Sequence, residues 1–503
     1  MTHSYGQILR SSSIMGGAQA INYLVSLLRV KVAAVLLGPA GVGIIGLYTT
    51  ATSLMGTVTG LGLQGSAVRA IAQAQGAADP IAVARTVAML RRLCWLTGLL
   101  GWLASLALAV PLSRLMFESG AHAWALAALG ALLLMNALSG GQSAMLQGMR
   151  RIGDIARMQV AGAILNTALT LALYAWLRER GIVPALIANA AVSLGLSWWF
   201  ARRVVVQPAS MRWSETLAEA RPMLALGAAM MWSGVLSLMV DLYTRTLISR
   251  QLGLEAAGLY QAAWALSGLF AGFVLTAMGT DFYPRLTAVI ADREAATRAV
   301  NEQTEIGILL ALPGLLGTLA LAKWVVWALY SAEFAPAADV LAWMVLGVFG
   351  RVLSWPLGYI LLAKSAVRWL MITEATFLVI QAALVAWLVP RHGVVGAAYA
   401  FAACYALHTA AMAWVGHRLI GFRWSPAAIR LMLIASLLVL AAMVANRLLA
   451  DVPAVIVGCA LAAVGSVWSL RGLARRLGPA HSLVLWMQRI PCIREIVRFP
   501  GHA

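Results

Sequence analysis

The sequence predicts an all-α polytopic membrane protein of about fourteen transmembrane helices, arranged as two pseudo-symmetric six-helix bundles plus two C-terminal helices. Three observations predict it. Apolar residues make up 62% of the 503 and charged residues only 11%, against roughly 25% charged and 45–50% apolar in soluble domains. Mean hydropathy is +0.84. Apolar runs of about 20 residues, the length needed to cross a bilayer, recur along the chain and are separated by short basic segments.

In chain order the spans are expected at 12–37, 42–63, 91–110, 121–147, 158–177, 182–201, 223–248, 255–279, 305–330, 337–362, 367–389, 393–417, 427–446 and 452–470. The first run is longer than a signal-peptide core and contains Arg29 and Lys31, so it reads as a span that stays. With the N-terminus inside, 26 of the 37 basic residues fall in cytoplasmic segments and 7 in outer ones. That bias is the positive-inside signal. It puts both termini in the cytoplasm, as expected of an inner-membrane protein. The outer loops are all short, the longest running from Pro111 to Gly120. The segment 280–304 has helical apolar spacing and mixed charge, and reads as a helix on the inner surface.

The same distribution settles what the net charge of +19 means. A nucleic-acid-binding protein concentrates its cations on one soluble face. Here they recur between apolar runs, so nucleic acid is excluded as a partner. The four cysteines, Cys94, Cys404, Cys459 and Cys492, have no metal-ligand or redox spacing and read as small apolar fillers, one of them in the tail. No phosphate-cradling nucleotide motif is present. A polyprenyl-dependent glycosyltransferase or polymerase would need a sizeable outer loop for its acid and base groups, and none is expected.

The chain repeats weakly. Leu37-Gly38-Pro39-Ala40-Gly41-Val42-Gly43 is matched in the second half by Leu252-Gly253-Leu254-Glu255-Ala256-Ala257-Gly258. Gly181-Ile182-Val183-Pro184-Ala185 is matched, at nearly the same offset, by Gly393-Val394-Val395-Gly396-Ala397. An offset of six helices leaves the two halves in the same orientation, as in parallel transporter repeats. The domains expected are therefore a six-helix bundle over 1–205, a second over 206–422, two appended helices over 423–470 and a basic tail over 471–503. The tail arginines Arg471, Arg475, Arg476, Arg489, Arg494 and Arg498 suit an anionic inner leaflet.

At this point the N-terminal stretch SSSIMGGAQAINYLVSLLRVKVAAVLLGPAGVGIIGLYTTATSLMG, followed by GLGLQGSAVRAIAQ, resembles the Wzx-type O-antigen and oligosaccharide flippases of the multidrug and oligosaccharidyl-lipid exporter superfamily. The stretch WPLGYILLAKSAVRWLMITEATFLVI is similar to the same family, and the likeness covers residues 7 to 420. The additional C-terminal helix pair departs from the commonest twelve-span pattern and is similar to the lipid II flippases. The resemblance implies two bundles around a central cavity that work by alternating access. The cargo would be an undecaprenyl-diphosphate-linked oligosaccharide, an O-antigen or exopolysaccharide repeat unit, moved from the cytoplasmic to the periplasmic leaflet. Membrane lipids, a polysaccharide polymerase and a chain-length regulator are the partners it implies.

Independently of any family, a charge at mid-span costs about 2.5–3.5 kcal/mol on insertion scales and so faces a cavity or a partner. Arg29 and Lys31 lie in the first span, Asp241 and Arg245 in the seventh, Arg351 in the tenth and Glu374 in the eleventh. Arg29 and Lys31, two positions apart, point in nearly opposite directions on a helix and cannot both face one cavity. Asp241 and Arg245 have the i,i+4 spacing of an intrahelical ion pair. Glu374 pairs with Lys364 or Arg368, or titrates as a coupling group. The four cations Arg29, Lys31, Arg245 and Arg351 are candidates to bind a diphosphate. Asp241 and Glu374 are candidates for proton or sodium coupling; no other cofactor is expected. His408 reads as a satisfied interhelical polar group, and Gly56, Gly60, Gly62 and Gly65 as sites of close helix contact or kinking. Trp198, Trp199, Trp324 and Trp327 read as interfacial anchors. A cation-coupled multidrug exporter of the same fold is the alternative, for which acidic and aromatic cavity residues would be expected.

Overall fold

The computed structural model describes residues 2–478 apart from 78, 208 and 210. The tail residues Arg489, Cys492, Arg494 and Arg498 lie outside the described residues. All regular structure among the described residues is helical. Ten helices or merged helix pairs there are long and apolar enough to cross a membrane, and eleven with the bent pair Trp213–Ala228 and Met231–Gly268.

The chain divides into two compact units, Met1–Gly258 with Leu329–Glu333, and Leu259–Ala328 with Phe334–Ala503. The first holds α1 (Thr2–Gly60), α2 (Leu63–Gly76), α3 (Pro80–Phe117), α4 (Ala123–Gly148), α5 (Ile152–Leu177), α6 (Ile182–Ala201) and the first arm of α7 (Trp213–Val289). α1 is broken at Gly38, whose φ of 63° and ψ of −174° no helix adopts, and Pro39 then opens the second arm. Positive φ favours glycine, and proline suits a first helical position because its missing N–H would have no partner there. α7 breaks the same way at Gly253, with φ 89° and ψ 172°.

The two breaks occupy matching places in the repeat and contact each other reciprocally. A Cβ on Gly43 would lie 2.3 Å from the Leu254 carbonyl oxygen, and one on Gly258 would lie 1.9 Å from that of Pro39. Each contact is the other carried across the repeat, since the shift that takes Gly38 to Gly253 also takes Gly43 to Gly258 and Pro39 to Leu254. The second repeat obeys the same shift. A Cβ on Gly181 would meet the Leu173 carbonyl at 2.5 Å, and one on Gly396 would meet that of Leu388 at 2.3 Å. Gly181 is therefore matched by Gly396, which corrects the alignment to Gly393. Gly393 instead has φ 63° and makes the turn between α11 (Val367–His392) and α12 (Val394–Ile420).

Small residues bring α3 and α4 together. A Cβ on Gly98 would meet Leu134, one on Gly130 would meet Trp102, and one on Gly141 would meet the Cys94 sulfur at 2.4 Å. Such close backbone approach drives association where lipid supplies no hydrophobic force. α3 is longer than expected. It runs through Pro111 to Phe117, so the anticipated outer loop from Pro111 shrinks to the turn 118–122. A proline inside a membrane helix is tolerated because neighbouring groups re-satisfy the backbone.

The second unit contains the remainder of α7, α8 (Arg293–Ala320), α9 (Ala322–Leu329), α10 (Ala337–Ala363), α11, α12, α13 (Pro426–Leu448) and α14 (Asp451–Leu477). The surface helix expected over 280–304 is absent as a separate element. α7 continues to Val289 and α8 starts at Arg293, capped by the Asp292 carboxylate. Phe282, Leu286, Ala296, Ala299 and Val300 are buried against α10 and α12, which ties both helix ends into one core. The appended pair is also integral to its unit. Gly458, Gly465 and Gly472 recur at heptad spacing on α14, and Cβ atoms there would meet Ala320, Leu316 and Leu309 of α8 at 2.9, 2.4 and 3.0 Å.

Candidate functional site

A cavity of about 380 Å3 opens within the first unit between the second arm of α1, the α1–α2 junction, α3 and α4. The chain turns there because Leu61 and Gly62 both take positive φ, 49° and 61°. Gly62 abuts Gly227 of α7 so closely that a Cβ on it would lie 2.2 Å from the Gly227 carbonyl oxygen. The break leaves Thr52, Thr57, Thr59, Gln64, Thr97 and Asn136 around the space.

The lining mixes these polar groups with Leu63, Leu132, Leu133 and Ala137, and carries no carboxylate or cation. Thr52, Thr57 and Thr59 each donate their hydroxyl hydrogen to the carbonyl four positions earlier, at 2.8 Å. Their lone pairs are left as acceptors. The side-chain amides of Gln64 and Asn136 make no hydrogen bond among the described residues, so they offer donors and acceptors together. Neutral hydroxyl and amide groups set among apolar side chains are the chemistry that can meet the hydroxyls and ring faces of a sugar. Gly56 makes only ordinary contact with Leu133, and Gly60 has open space at its Cβ position. The close-contact expectation for this glycine series therefore holds at Gly62 and not at Gly60.

The six intramembrane charges fall in both units. Arg29 is half-buried and lies near enough to act electrostatically on Tyr174 of α5. Lys31 donates to the Tyr330 carbonyl. The two side chains thus serve different neighbours, as their angular separation requires. Arg245 is 4% exposed and sits 3.7 Å from the Asp241 carboxylate, with a further bond of 3.3 Å to the Asp241 carbonyl. In the second unit Arg351 is exposed on α10, and its guanidinium has no ion pair or hydrogen bond among the described residues. Glu374 is half-buried on α11. Neither Asp241 nor Glu374 is free of interactions. His408 departs from expectation. It packs edge-on between Phe377 and Tyr405, and its buried Nδ1 has no hydrogen-bond partner among the described residues.

Polar contacts also fasten the two ends of the first unit. At one end Arg85 pairs with Glu219, while Arg92 donates to the Thr216 hydroxyl at 2.8 Å and lies over the Trp213 ring. These tie the start of α3 to the start of α7. At the other end Arg250 donates to Glu118 at 2.8 Å. His122 stacks on Phe117 and bonds to the Tyr48 hydroxyl at 2.7 Å. Burial holds the His122 imidazole below its ordinary value of 6.5, because a charged ring loses its hydration there.

Sequence reasoning found the charges and missed the polar cavity. Its signal was present: Thr52, Ser53, Thr57 and Thr59 alternate with Gly56 and Gly60 along one span and lead into Gln64.

The family described as "Polysaccharide biosynthesis protein" matches residues 8–290. Among characterised proteins, the chain is 24% identical over 389 residues to the lipid III flippase of Escherichia coli (strain K12), covering 75% of this chain and 90% of that protein. Among solved structures, it matches the lipid II flippase MurJ in an inward closed conformation with a TM-score of 0.68 at 12% identity, covering 92% of this chain and 100% of that one. An inward-facing multidrug resistance MATE family transporter of the MOP superfamily matches with a TM-score of 0.62 at 14% identity, over 79% of this chain and 95% of that one.

Proposed function

The chain belongs to the polysaccharide biosynthesis protein family, and from that premise we propose that it is a flippase for a lipid-linked oligosaccharide. It translocates its cargo and is not an enzyme. The cargo is an undecaprenyl-diphosphate-linked O-antigen or exopolysaccharide repeat unit, carried from the cytoplasmic to the periplasmic leaflet by ion-coupled alternating access. The relatives named as lipid III and lipid II flippases support this reading over nearly their full lengths. The protein is a multi-pass membrane protein. Its proposed place is the bacterial inner membrane, with both termini cytoplasmic. Fourteen crossings follow if Leu24–Gly60, Ile152–Ala201 and α7 each count as two. The working division is then bundles over 1–205 and 206–422, the helix pair 423–470 and the tail. A polysaccharide polymerase and a chain-length regulator are the proposed partners downstream.

The observation that carries the reading is Arg351, an arginine on an apolar helix with no protein anion among the described residues. A cation kept there against its insertion cost faces a cavity or a partner, and an anionic headgroup is such a partner. Arg29, Lys31, Arg245 and Arg351 are proposed to recognise the diphosphate, and the hydroxyl- and amide-lined cavity to hold sugar. Asp241 and Glu374 are the proposed proton or sodium coupling groups. A cation-coupled multidrug exporter is favoured only by the fold it shares with the MATE transporter. The absence of a carboxylate in the described cavity speaks against it.

The test is a strain lacking this gene, complemented with variants. Without the protein, polyprenyl-linked glycan should accumulate on the inner leaflet and surface glycan should vanish. Arg351→Ala should restore neither, at wild-type protein abundance, while Arg351→Lys restores part, since a point charge lacks the bidentate fork. Full surface glycan with Arg351→Ala removes the diphosphate role. Normal glycan without the protein removes the flippase reading.

A further inference from the structure

A second cavity of the first unit is not used by the reading above. It measures about 690 Å3 and is a groove floored by α4 and walled by α3 and α6. Its body is apolar, with Trp95, Leu138, Met145 and Leu194 among its lining residues. Of its two cations, Arg202 closes the α6 wall at one end, and Arg91 lies about one turn in from Val87, the first lining residue of α3. α3 begins at that end, while α4 and α6, which run the opposite way, finish there. Arg91 has no ion pair or hydrogen bond among the described residues. Arg202 lies over the rings of Trp198 and Trp199, at 4.7 and 3.9 Å, and has no acidic partner there. Both arginines are exposed.

The dimensions of the groove match one leaflet. Its α6 wall runs from Ala191 to Arg202, which at 1.5 Å per residue is about 16 Å. Half of a hydrocarbon core of about 30 Å is nearly the same depth. The groove thus joins a doubly cationic mouth to an apolar slot as deep as an acyl chain is long, with tryptophan at the level of the headgroups. Basic pockets between transmembrane helices recognise anionic headgroups in this way. The cavity for sugar and this groove are separated by Cys94, which lines both and packs on Gly141.

We propose that the α3–α4–α6 groove is a binding site for one anionic diacyl phospholipid, its phosphate held by Arg91 and Arg202 and one acyl chain lying in the slot. A polyprenyl diphosphate has the same headgroup chemistry, but its tail is longer than a slot one leaflet deep. The occupant is therefore a resident lipid that fills the wall behind the sugar cavity. The site stands independently of transport and of the identity of the cargo.

Native mass spectrometry of the purified full-length chain in neutral detergent tests this. The probes are dioleoyl phosphatidylglycerol and dioleoyl phosphatidylcholine. The wild-type chain should retain one phosphatidylglycerol in preference to phosphatidylcholine. Arg91→Gln with Arg202→Gln should weaken that retention about thirtyfold, since each cation at an anionic surface contributes roughly a factor of five. Gly195→Phe acts on the slot alone. Gly195 lines the groove and a Cβ there meets nothing within 4 Å, so a bulky side chain at this position should narrow the slot, and retention should fall with both arginines in place. Equal retention of the two lipids by the wild type overturns the proposal. So does unchanged retention in either variant, and so does one-for-one displacement by undecaprenyl diphosphate, which would assign the groove to the cargo.

Discussion

Arg245 is almost completely buried, and its guanidinium is 3.7 Å from the Asp241 carboxylate. Removing one member of a buried pair leaves the other charge undercompensated, at a cost of about 3–5 kcal/mol. Arg245→Met should therefore lower thermal stability in detergent by an amount near the bottom of that range, because the Asp241 side chain keeps 23% exposure and other interactions. Arg245→Met combined with Asp241→Asn should cost less than the sum of the two single changes, with a coupling of at least about 1 kcal/mol. Strict additivity in that cycle would mean that the i,i+4 pair contributes nothing. This pair was legible in the sequence because a charge inside an apolar run is rare and its spacing names the partner. The polar cavity was not. A threonine that bonds the carbonyl one turn back is satisfied whether its oxygen then faces lipid, another helix or a wet space, so Thr52, Thr57 and Thr59 looked alike before the fold was known. His408 misled for the related reason that burial does not guarantee a partner. Two aromatic rings surround it, and its Nδ1 is left unbonded among the described residues.

At the scale of the element, glycine position decides which helices approach closely. On α10, a Cβ at Gly347 would lie 2.2 Å from the Phe401 ring, and that ring is held by Trp264 and Tyr405. At Gly358 on the same helix the corresponding space is open. Gly347→Ala should destabilise by about 1–3 kcal/mol, the usual range for overpacking. Gly358→Ala should be neutral or stabilising by up to about 1 kcal/mol, the helix-propensity difference. Melting curves of both variants in one detergent check this, and equal effects would show that α10 does not pack on α12 through Gly347. The helices themselves were legible from apolar runs, and their breaks from the Leu-Gly pairs at Leu37-Gly38 and Leu252-Gly253. The true register of the second repeat, Gly181 on Gly396, was not. Gly393 and Gly396 both sit near a helix start, and only the Leu388 carbonyl against Gly396, where Gly393 has open space, tells the packing site from the turn. The heptad-spaced glycine series on α14 was visible in the sequence, but its partner α8 lies far back along the chain, with five helices between them.

At the scale of the whole molecule, the question is whether the last two helices can be spared. Lipid is as apolar as leucine, so burial alone does not hold α13 and α14 to α8; close packing and polar bonds must. Both are present. The glycine face of α14 lies on Leu309, Leu316 and Ala320, and the first two are fully buried. Asn301 on α8 donates to the Arg423 carbonyl at 3.0 Å and accepts from the Ser425 N–H at 2.8 Å. Glu305 accepts from Arg476 at 2.8 Å and from the Ser425 hydroxyl at 3.2 Å, and Asn446 donates to the Leu319 carbonyl at 2.7 Å. A chain ending at Ile420 would lose all of these together. It would leave Asn301, Glu305 and the Leu319 carbonyl without those partners, at about 1–3 kcal/mol each. That is a large part of a folding stability of about 5–15 kcal/mol, before any lost packing is counted. The truncated chain should therefore fail to accumulate in membranes, and surface glycan should disappear with it. Arg476→Gln alone removes one partly exposed pair and should leave abundance near that of the wild type, which separates loss of the helices from loss of a single contact. A twelve-helix chain that accumulates normally and restores glycan would show that the pair serves something other than the integrity of its unit.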